Sequence, residues 1–275
     1  MSLTTATPGT PRPSLKDLAR TPLRALYHLA LYTRHLSNGI QVWRARNRPA
    51  DMPPLRFRDG SIWHHGPHDE PLLIMRELYG QGFYPKLAVP QGADVIDIGA
   101  NIGAVTMRWA RSRPDLKFHA YEPNPQAFDT LRQNIGANGL EGRVSLHREA
   151  VGRKKGKLDL WIDVPTAHST AFGDSPVPGG RRVSAPVVSL DEVWGRLGKR
   201  PIAMLKIDAE GGEVDILEGA SRATMAAVQS AIIEYHDNLV PGAYARCRAA
   251  LNAAGFACHV HEHPWQEGII TATRV

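Results

Sequence analysis

Cysteine is almost missing from this 275-residue chain, which holds only Cys247 and Cys258. Two thiols without metal-ligand spacing exclude a disulfide framework and a zinc knuckle, and they suit a reducing compartment. Aromatic residues are scarce at 7%. No apolar run approaches the ~20 residues that a membrane span needs. The opening residues, Met1 to Pro13, lack the charged-then-apolar order of a secretory signal and read as a flexible tail. What is present, 43% hydrophobic and 22% charged residues, is the balance of an ordinary globular protein, which excludes a collagen or a wholly disordered chain. The length fits one large domain, or one domain with an appendage, and the expected location is cytoplasmic.

Acidic residues are few at one end. Residues 1–60 hold ten Lys and Arg against three Asp and Glu, a balance of +7 in a chain of net +6, so the remainder stands at −1. The basic character therefore belongs to an N-terminal extension. A neutral body argues against nucleic acid as a substrate, since such binding draws on many phosphate contacts. From Ser14 to about Trp43, the residues Leu15, Leu18, Leu23, Leu26, Tyr27, Ala30 and Leu31 recur at helical spacing. Ser14 suits a cap, and Pro22 and Gly39 are expected to break the stretch. Lys16, Arg20, Arg24 and Arg34 occupy the opposite face. Residues 47–60, with Pro49, Pro53, Pro54 and Gly60, read as a linker, so residues 14–80 are expected to form a basic helical arm and linker. The arm either packs on the main domain or a second subunit, or rests as an amphipathic helix on an anionic membrane surface.

Residues 81–275 alternate short apolar strands with helical segments. Strands are expected at Asp94–Ile98, Lys117–Tyr121, Val144–His147, Lys157–Ile162, Ala203–Ile207 and Ala231–Tyr235. Helices are expected at Ile102–Arg113, Pro125–Ala137, about Gly212–Glu218 and Tyr244–Ala254. Phe256–Val260 and Gly268–Thr273 look like a closing hairpin. Such alternation implies an α/β fold with a mostly parallel sheet and helices on both faces. The stretch Asp163–Arg182, rich in Pro, Gly, Ser and Thr, has the length of a lid or binding loop.

The strongest chemical signal is the turn Asp97-Ile98-Gly99-Ala100-Asn101-Ile102-Gly103, after a strand and opening a helix. Glycines here let the backbone turn sharply and approach a ligand closely. Asn101 stands at the middle glycine position and is among the few residues that tolerate a left-handed conformation. Nineteen positions past Gly103, at the next strand end, lies Glu122. A carboxylate there can accept hydrogen bonds from both ribose hydroxyls of an adenosine. Asp97 at the turn's start would repel a pyrophosphate and suits a cofactor with cationic groups, which favours S-adenosylmethionine over a dinucleotide.

Four segments in order carry a resemblance: Asp97–Gly103, then Tyr121-Glu122-Pro123-Asn124-Pro125, then Leu205-Lys206-Ile207-Asp208-Ala209-Glu210-Gly211-Gly212-Glu213, then Ile232-Ile233-Glu234-Tyr235-His236. Together they resemble the successive motifs of FkbM-like methyltransferases over roughly residues 80–240. Ala150-Val151-Gly152, Ser189-Leu190-Asp191-Glu192 and Leu217-Glu218-Gly219-Ala220 fit as well. Gly212 departs from the family, which more often has Ala or an aromatic there, and this bears on local packing. The resemblance implies a class I, Rossmann-like methyltransferase domain with a mostly parallel seven-stranded sheet. It also implies O-methyl transfer from S-adenosylmethionine to a small-molecule, sugar or secondary-metabolite hydroxyl. The expected cofactor residues are Asp97, Gly99, Asn101, Gly103, Glu122, Pro123, Asn124, Ala150 and Asp208.

Lys206, Asp208 and Glu210 cluster at the end of one strand, and Lys206 and Asp208 share a face. Such charges at a central strand end either form a solvated salt-bridged rim or do chemistry. Glu213 reads as a helix-start acid stabilised by the dipole. His236 is the best-suited general base near neutral pH, and Lys206, Asp208 and Glu210 are the other catalytic candidates. His168 is a weaker one. Two histidine groups, His259/His261/His263 and His64/His65/His68, lack a recognised ligand pattern, so no metal site is assigned. A divalent ion on Asp208 and Glu210 is a further option, which Lys206 among those acids disfavours. Two other readings stay open: a nicotinamide-dependent oxidoreductase on the same fold, and a non-catalytic adaptor working through the basic arm.

Overall fold

The structure is a computed structural model that describes residues 22–48, 51–81, 84, 89–162, 180–262 and 267–275. The tail, the helix start at Ser14 and the loop holding His168 lie outside the described residues. The chain divides into two compact units, Met1–Gly60 and Ser61–Val275. The larger unit thus takes in residues 61–80, which composition assigns to the arm and linker.

In the smaller unit, helix α1 (Pro22–His35) is followed by helix α2 (Gly39–Ala45), which begins where Gly39 stands. Gly39 has no room for a side chain, because a Cβ there would lie 2.5 Å from the Tyr32 carbonyl oxygen. Leu31, Tyr32, Leu36 and Val42 are buried, whereas Leu26 and Tyr27 are exposed. The expected linker folds back: Arg58 N donates to His35 O, and Ser37 N donates to Arg56 O.

The larger unit is built on β1 (Asp94–Ile98), α3 (Ala104–Ser112), β2 (Lys117–Tyr121), α4 (Pro125–Ala137) and β3 (Val144–His147). Then come β4 (Ala150–Gly152), β5 (Gly156–Ile162), β6 (Arg181–Ser189), α5 (Leu190–Arg196), β7 (Ile202–Ile207), α6 (Glu213–Gly219) and α7 (Arg222–Ala227). The chain closes with β8 (Ser230–His236), α8 (Ala243–Ala253), β9 (Phe256–Glu262) and β10 (Glu267–Arg274). Seven strands form one sheet in the order β9-β10-β8-β7-β1-β2-β3. The pairs β1–β2, β2–β3, β1–β7 and β7–β8 are parallel, and β10 runs antiparallel between β8 and β9. This is the mostly parallel seven-stranded sheet that the resemblance implies. No described helix is long and apolar enough to cross a membrane.

The central strands are apolar runs because both faces are covered. Every residue of β1 and of β7 is buried. Helix boundaries follow local chemistry. Asn124 caps α4 by accepting from Gln126 N, with Pro125 in the first turn. Ser189 and Glu192 form a reciprocal capping box on α5. A second sheet of β4, β6 and β5 lies beside the main one in sequence. Its longest strand, β6, is absent from the sequence reading, because Arg181-Arg182-Val183-Ser184-Ala185-Pro186 shows little apolar alternation and contains a proline.

At the centre, β1 leads to β2 on one side and β7 lies on the other, so the strand order reverses between β1 and β7. Ligand crevices in such sheets open at this reversal, beyond the carboxyl ends of the strands. Gly99 sits at that point with φ +72°, and a Cβ there would come within 1.7 Å of the Asp208 carbonyl oxygen. Gly92 has a similar φ of +69° but open space around it. Gly92→Ala should therefore cost only the left-handed strain of roughly 1–2 kcal/mol. Gly99→Ala should cost clearly more, read as a larger fall in urea midpoint. Equal costs at the two positions would show that the close approach of the two strand ends is unimportant.

Candidate functional site

The glycine turn is held from both sides. Gly99 N and Ala100 N each donate to Tyr121 O at 3.0 Å, and Asp208 N donates to Ile98 O at 3.1 Å. Asn101 has φ 49° and Gly103 φ 88°. With Gly99 at φ 72°, the turn's three left-handed positions are filled by residue types that bear them at low cost. The Glu122 carboxylate braces the turn, accepting from Asn101 N at 2.8 Å through Oε2 and from Asn124 N at 2.8 Å through Oε1. Burial pushes Glu122 up to about 7 despite those two hydrogen bonds. Among the described residues, the Asn101 side-chain oxygen is buried without a hydrogen-bonding partner. Pro123 is partly buried, Asn124 is fully buried as the α4 cap, and Ala150 is buried at the start of β4.

The register then brings the charged residues together. Asp97 lies opposite Lys206, and Lys206 opposite Ile232, so all three share one face. Two residues further along β7 and β8 on that face come Asp208 and Glu234, followed by His236. Lys206 is buried, and its ammonium donates to Gly99 O at 2.7 Å. It also lies 3.2 Å from Asp97 Oδ1 and 3.3 Å from Asp208 Oδ2. Burial alone would lower its pKa, but Asp97 and then Asp208 outweigh that and hold it above the ordinary lysine value. Lys206 is therefore a fixed cation. Asp97 is fully buried, with Thr106 Oγ1 donating to its Oδ2 at 2.5 Å. Both of its oxygens face protein groups, so its influence on a bound ligand runs through Lys206. Asp208 keeps 25% side-chain exposure and is the acid of this set open to the cleft.

His236 is buried with its ring tied down. Its Nδ1 lies 3.1 Å from Glu213 Oε1, and its Nε2 lies 3.7 Å from Glu210 Oε2. Burial would lower the imidazole, yet the Glu213 hydrogen bond and the Glu210 and Glu213 charges outweigh it and raise it well above the usual value. The imidazole therefore holds its proton more tightly than an ordinary histidine does. Glu213 does more than start α6. Fully buried, its Oε1 also accepts from Ala209 N at 2.9 Å and Gly211 N at 3.1 Å. Glu210 occupies the left-handed region at φ 46°, and burial raises its pKa well above the ordinary carboxyl value. Gly212, the residue that departs from the family, has an ordinary φ of −83°. A Cβ there would lie 3.2 Å from Ala209 Cβ, so the glycine relieves a tight contact without meeting a backbone requirement.

Three site residues were not singled out from sequence. Tyr84 donates to Glu234 Oε2 at 3.0 Å. Glu234 is pushed up to about 8 by burial and then by Asp208. Glu77, in the π-helical turn Arg76–Gln81, is raised to about 7 by burial. Glu267 stands directly opposite His236 across β8 and β10. No motif marks Tyr84 or Glu77, and Glu267 reaches the site only through register. Among the described residues, two sets of acidic and His side chains bring ligand atoms within 4.8 Å of one another: Asp208–Glu210–His236, and Glu234–His236–Glu267. Of the two histidine groups noted in the sequence, His263 lies outside the described residues, and His259 and His261 are exposed.

Removing the Lys206 ammonium strands the buried Asp97 carboxylate. Lys206→Met should destabilise the chain by roughly 3–5 kcal/mol, and adding Asp97→Asn should recover much of the loss. Urea unfolding of the two variants decides it. A Lys206→Met protein of native stability would remove this network from the account.

Residues 97–258, more than half of the chain, match the family model described as the Methyltransferase FkbM domain. Methyltransferase 1 of Beauveria bassiana is 26% identical over 211 residues, covering 70% of this chain and 83% of that protein. The 31-O-demethyl-FK506 methyltransferase FkbM of Streptomyces tacrolimicus is 27% identical over 238 residues, covering 76% of this chain and 91% of the relative. The 2-O-methyltransferase NoeI of Sinorhizobium fredii is 25% identical over 163 residues, 52% of this chain and 63% of the relative.

Proposed function

The chain belongs to the FkbM methyltransferase family and is an S-adenosylmethionine-dependent methyltransferase, and from that premise we propose that it methylates a hydroxyl oxygen of a small-molecule, sugar or secondary-metabolite acceptor. The relatives named as a 31-O-demethyl-FK506 methyltransferase and a 2-O-methyltransferase support oxygen as the acceptor atom. The observation that carries the reading is the brace that Glu122 makes to the glycine turn at the strand reversal, where Asp208 also stands beside the buried Lys206.

The residues present fit the cofactor. Asn101 offers a buried oxygen that no described group satisfies, and such an acceptor is costly unless a ligand donor meets it. Glu122 would accept the ribose hydroxyls through the lone pairs left free by its two backbone donors. Gly99 and Gly103 shape the turn, Pro123 and Asn124 fix the strand end beside the ribose, and Ala150 offers a small side chain beyond β3. Asp208, with Asp97 acting behind Lys206, sets the potential for the cationic methionine portion. S-adenosylmethionine supplies a methyl group already activated on a sulfonium.

What the protein adds is alignment and a dry polar wall. Positioning is worth ~7–11 kcal/mol in favourable cases, against ~10²–10⁴-fold for proton transfer by a placed side chain. Lys206, Asp208, Glu210 and His236 form that wall: they orient the acceptor oxygen, and Asp208, the carboxylate of the set with 25% side-chain exposure, takes the hydroxyl proton as the methyl group passes from sulfur to oxygen. Because positioning is the larger contribution, single substitutions in the wall should leave residual turnover.

Calorimetry with S-adenosylhomocysteine should show saturable binding at micromolar levels, and a folded chain that does not bind it contradicts the reading. Ribose hydroxyls donate to the ionised carboxylate, and Glu122 titrates near 7. Affinity should therefore strengthen as pH rises from about 6 to about 8. Glu122→Gln should weaken binding and flatten that rise; an unchanged pH profile would detach the ribose from Glu122.

A further inference from the structure

We propose that the chain binds one divalent transition-metal cation between Nε2 of His236 and the carboxylates of Asp208 and Glu210. The ion's use, holding and acidifying the acceptor hydroxyl, rests on the methyl-transfer reading, whereas its binding stands on the geometry of the cleft.

One ligand atom from each of the three residues lies within 4.8 Å of the others. A cation bonded at ~2.0–2.2 Å spans donors up to about 4.4 Å apart, so small side-chain rotations close the set. The imidazole is an independent pointer. It is 3% exposed, and Glu213 holds its Nδ1 side at 3.1 Å, which turns Nε2 toward the carboxylates. Among the described residues Nε2 has no hydrogen-bonding partner, the Glu210 oxygen standing off at 3.7 Å. A buried His whose far nitrogen is fixed by a carboxylate is the arrangement that orients metal-ligating imidazoles.

Lys206 does not occupy the site. Its ammonium is shared among Gly99 O, Asp97 and Asp208 Oδ2, which leaves Asp208 Oδ1 outside that ion pair. The alternative set, Glu234–His236–Glu267, uses the same imidazole, with one Glu234 oxygen accepting from Tyr84, and the Glu267→Gln variant below separates the two. One imidazole with two carboxylates suits manganese, iron or zinc better than magnesium or calcium, which favour all-oxygen shells.

The test uses the full-length chain stripped with chelator and titrated with manganese chloride. Free Mn²⁺ is followed by its paramagnetic resonance, and S-adenosylhomocysteine binding is measured on the same samples. The expected result is one Mn²⁺ per chain, weakened at least ~10-fold in Glu210→Gln and unchanged in Glu267→Gln. Asp208→Asn, at a more exposed position, replaces Glu210→Gln if that variant does not fold. A chain that binds S-adenosylhomocysteine but takes up no Mn²⁺ overturns the ion site and leaves the cofactor reading intact. Loss of Mn²⁺ in Glu267→Gln with retention in Glu210→Gln overturns this ligand set. Stoichiometric Mn²⁺ uptake without S-adenosylhomocysteine binding supports the site and counts against the function proposed above.

Discussion

A buried ammonium joins the two strands between which the sheet reverses. Lys206 bridges Asp97 on β1 and Asp208 just beyond β7, and it donates to the Gly99 carbonyl at the turn. An isolated charge in such a place would be expelled or neutralised. Here the Lys, two carboxylates, a threonine hydroxyl and a carbonyl settle one another, so the strand ends are held at a fixed separation. The glycine at position 99 is the steric counterpart of the same constraint, since the Asp208 backbone already fills the space of its side chain. The turn, its brace Glu122 and the cleft beyond it all take their positions from this junction.

The cleft's electrostatic character follows from register. Parallel neighbours present the same face at equivalent positions, so one row of polar residues runs from Asp97 through Lys206 toward Glu234 and His236. The antiparallel strand β10 then adds Glu267 opposite His236. With Asp97 already committed to Lys206, carboxylates outnumber cations at the rim. Burial and the neighbouring acids raise the pKa values of Glu234 and Glu210. Such a surface favours a positively charged donor and disfavours phosphate. It is also the environment in which a divalent ion would relieve like-charge crowding.

Much of the larger unit was legible in the sequence, for physical reasons. β1 and β7 are continuous apolar runs because both faces are covered. Pro125, and Asn138 with Gly139, mark the ends of α4 because those residues start and stop helices locally. Strand β6 escaped notice since its burial alternates weakly through a stretch of Arg, Ser and Pro. At the site, local motifs revealed the turn, Glu122 and the Lys206–Glu213 run. They could not reveal that Glu213 clamps His236, because that contact joins a helix start to a neighbouring strand. Nor could they show that Tyr84 meets Glu234 across 150 positions. Chemistry written along the chain is readable; chemistry created by pairing distant segments is not.

The central claim is that the adenosine end of the methyl donor lies against Glu122, at the reversal held by Lys206. A crystal structure of the chain with S-adenosylhomocysteine tests it most directly. The account predicts both ribose hydroxyls within hydrogen-bonding distance of the Glu122 carboxylate, and the homocysteine portion beside Asp208. A ribose seated against a different acid, or a ligand outside this crevice, would contradict it.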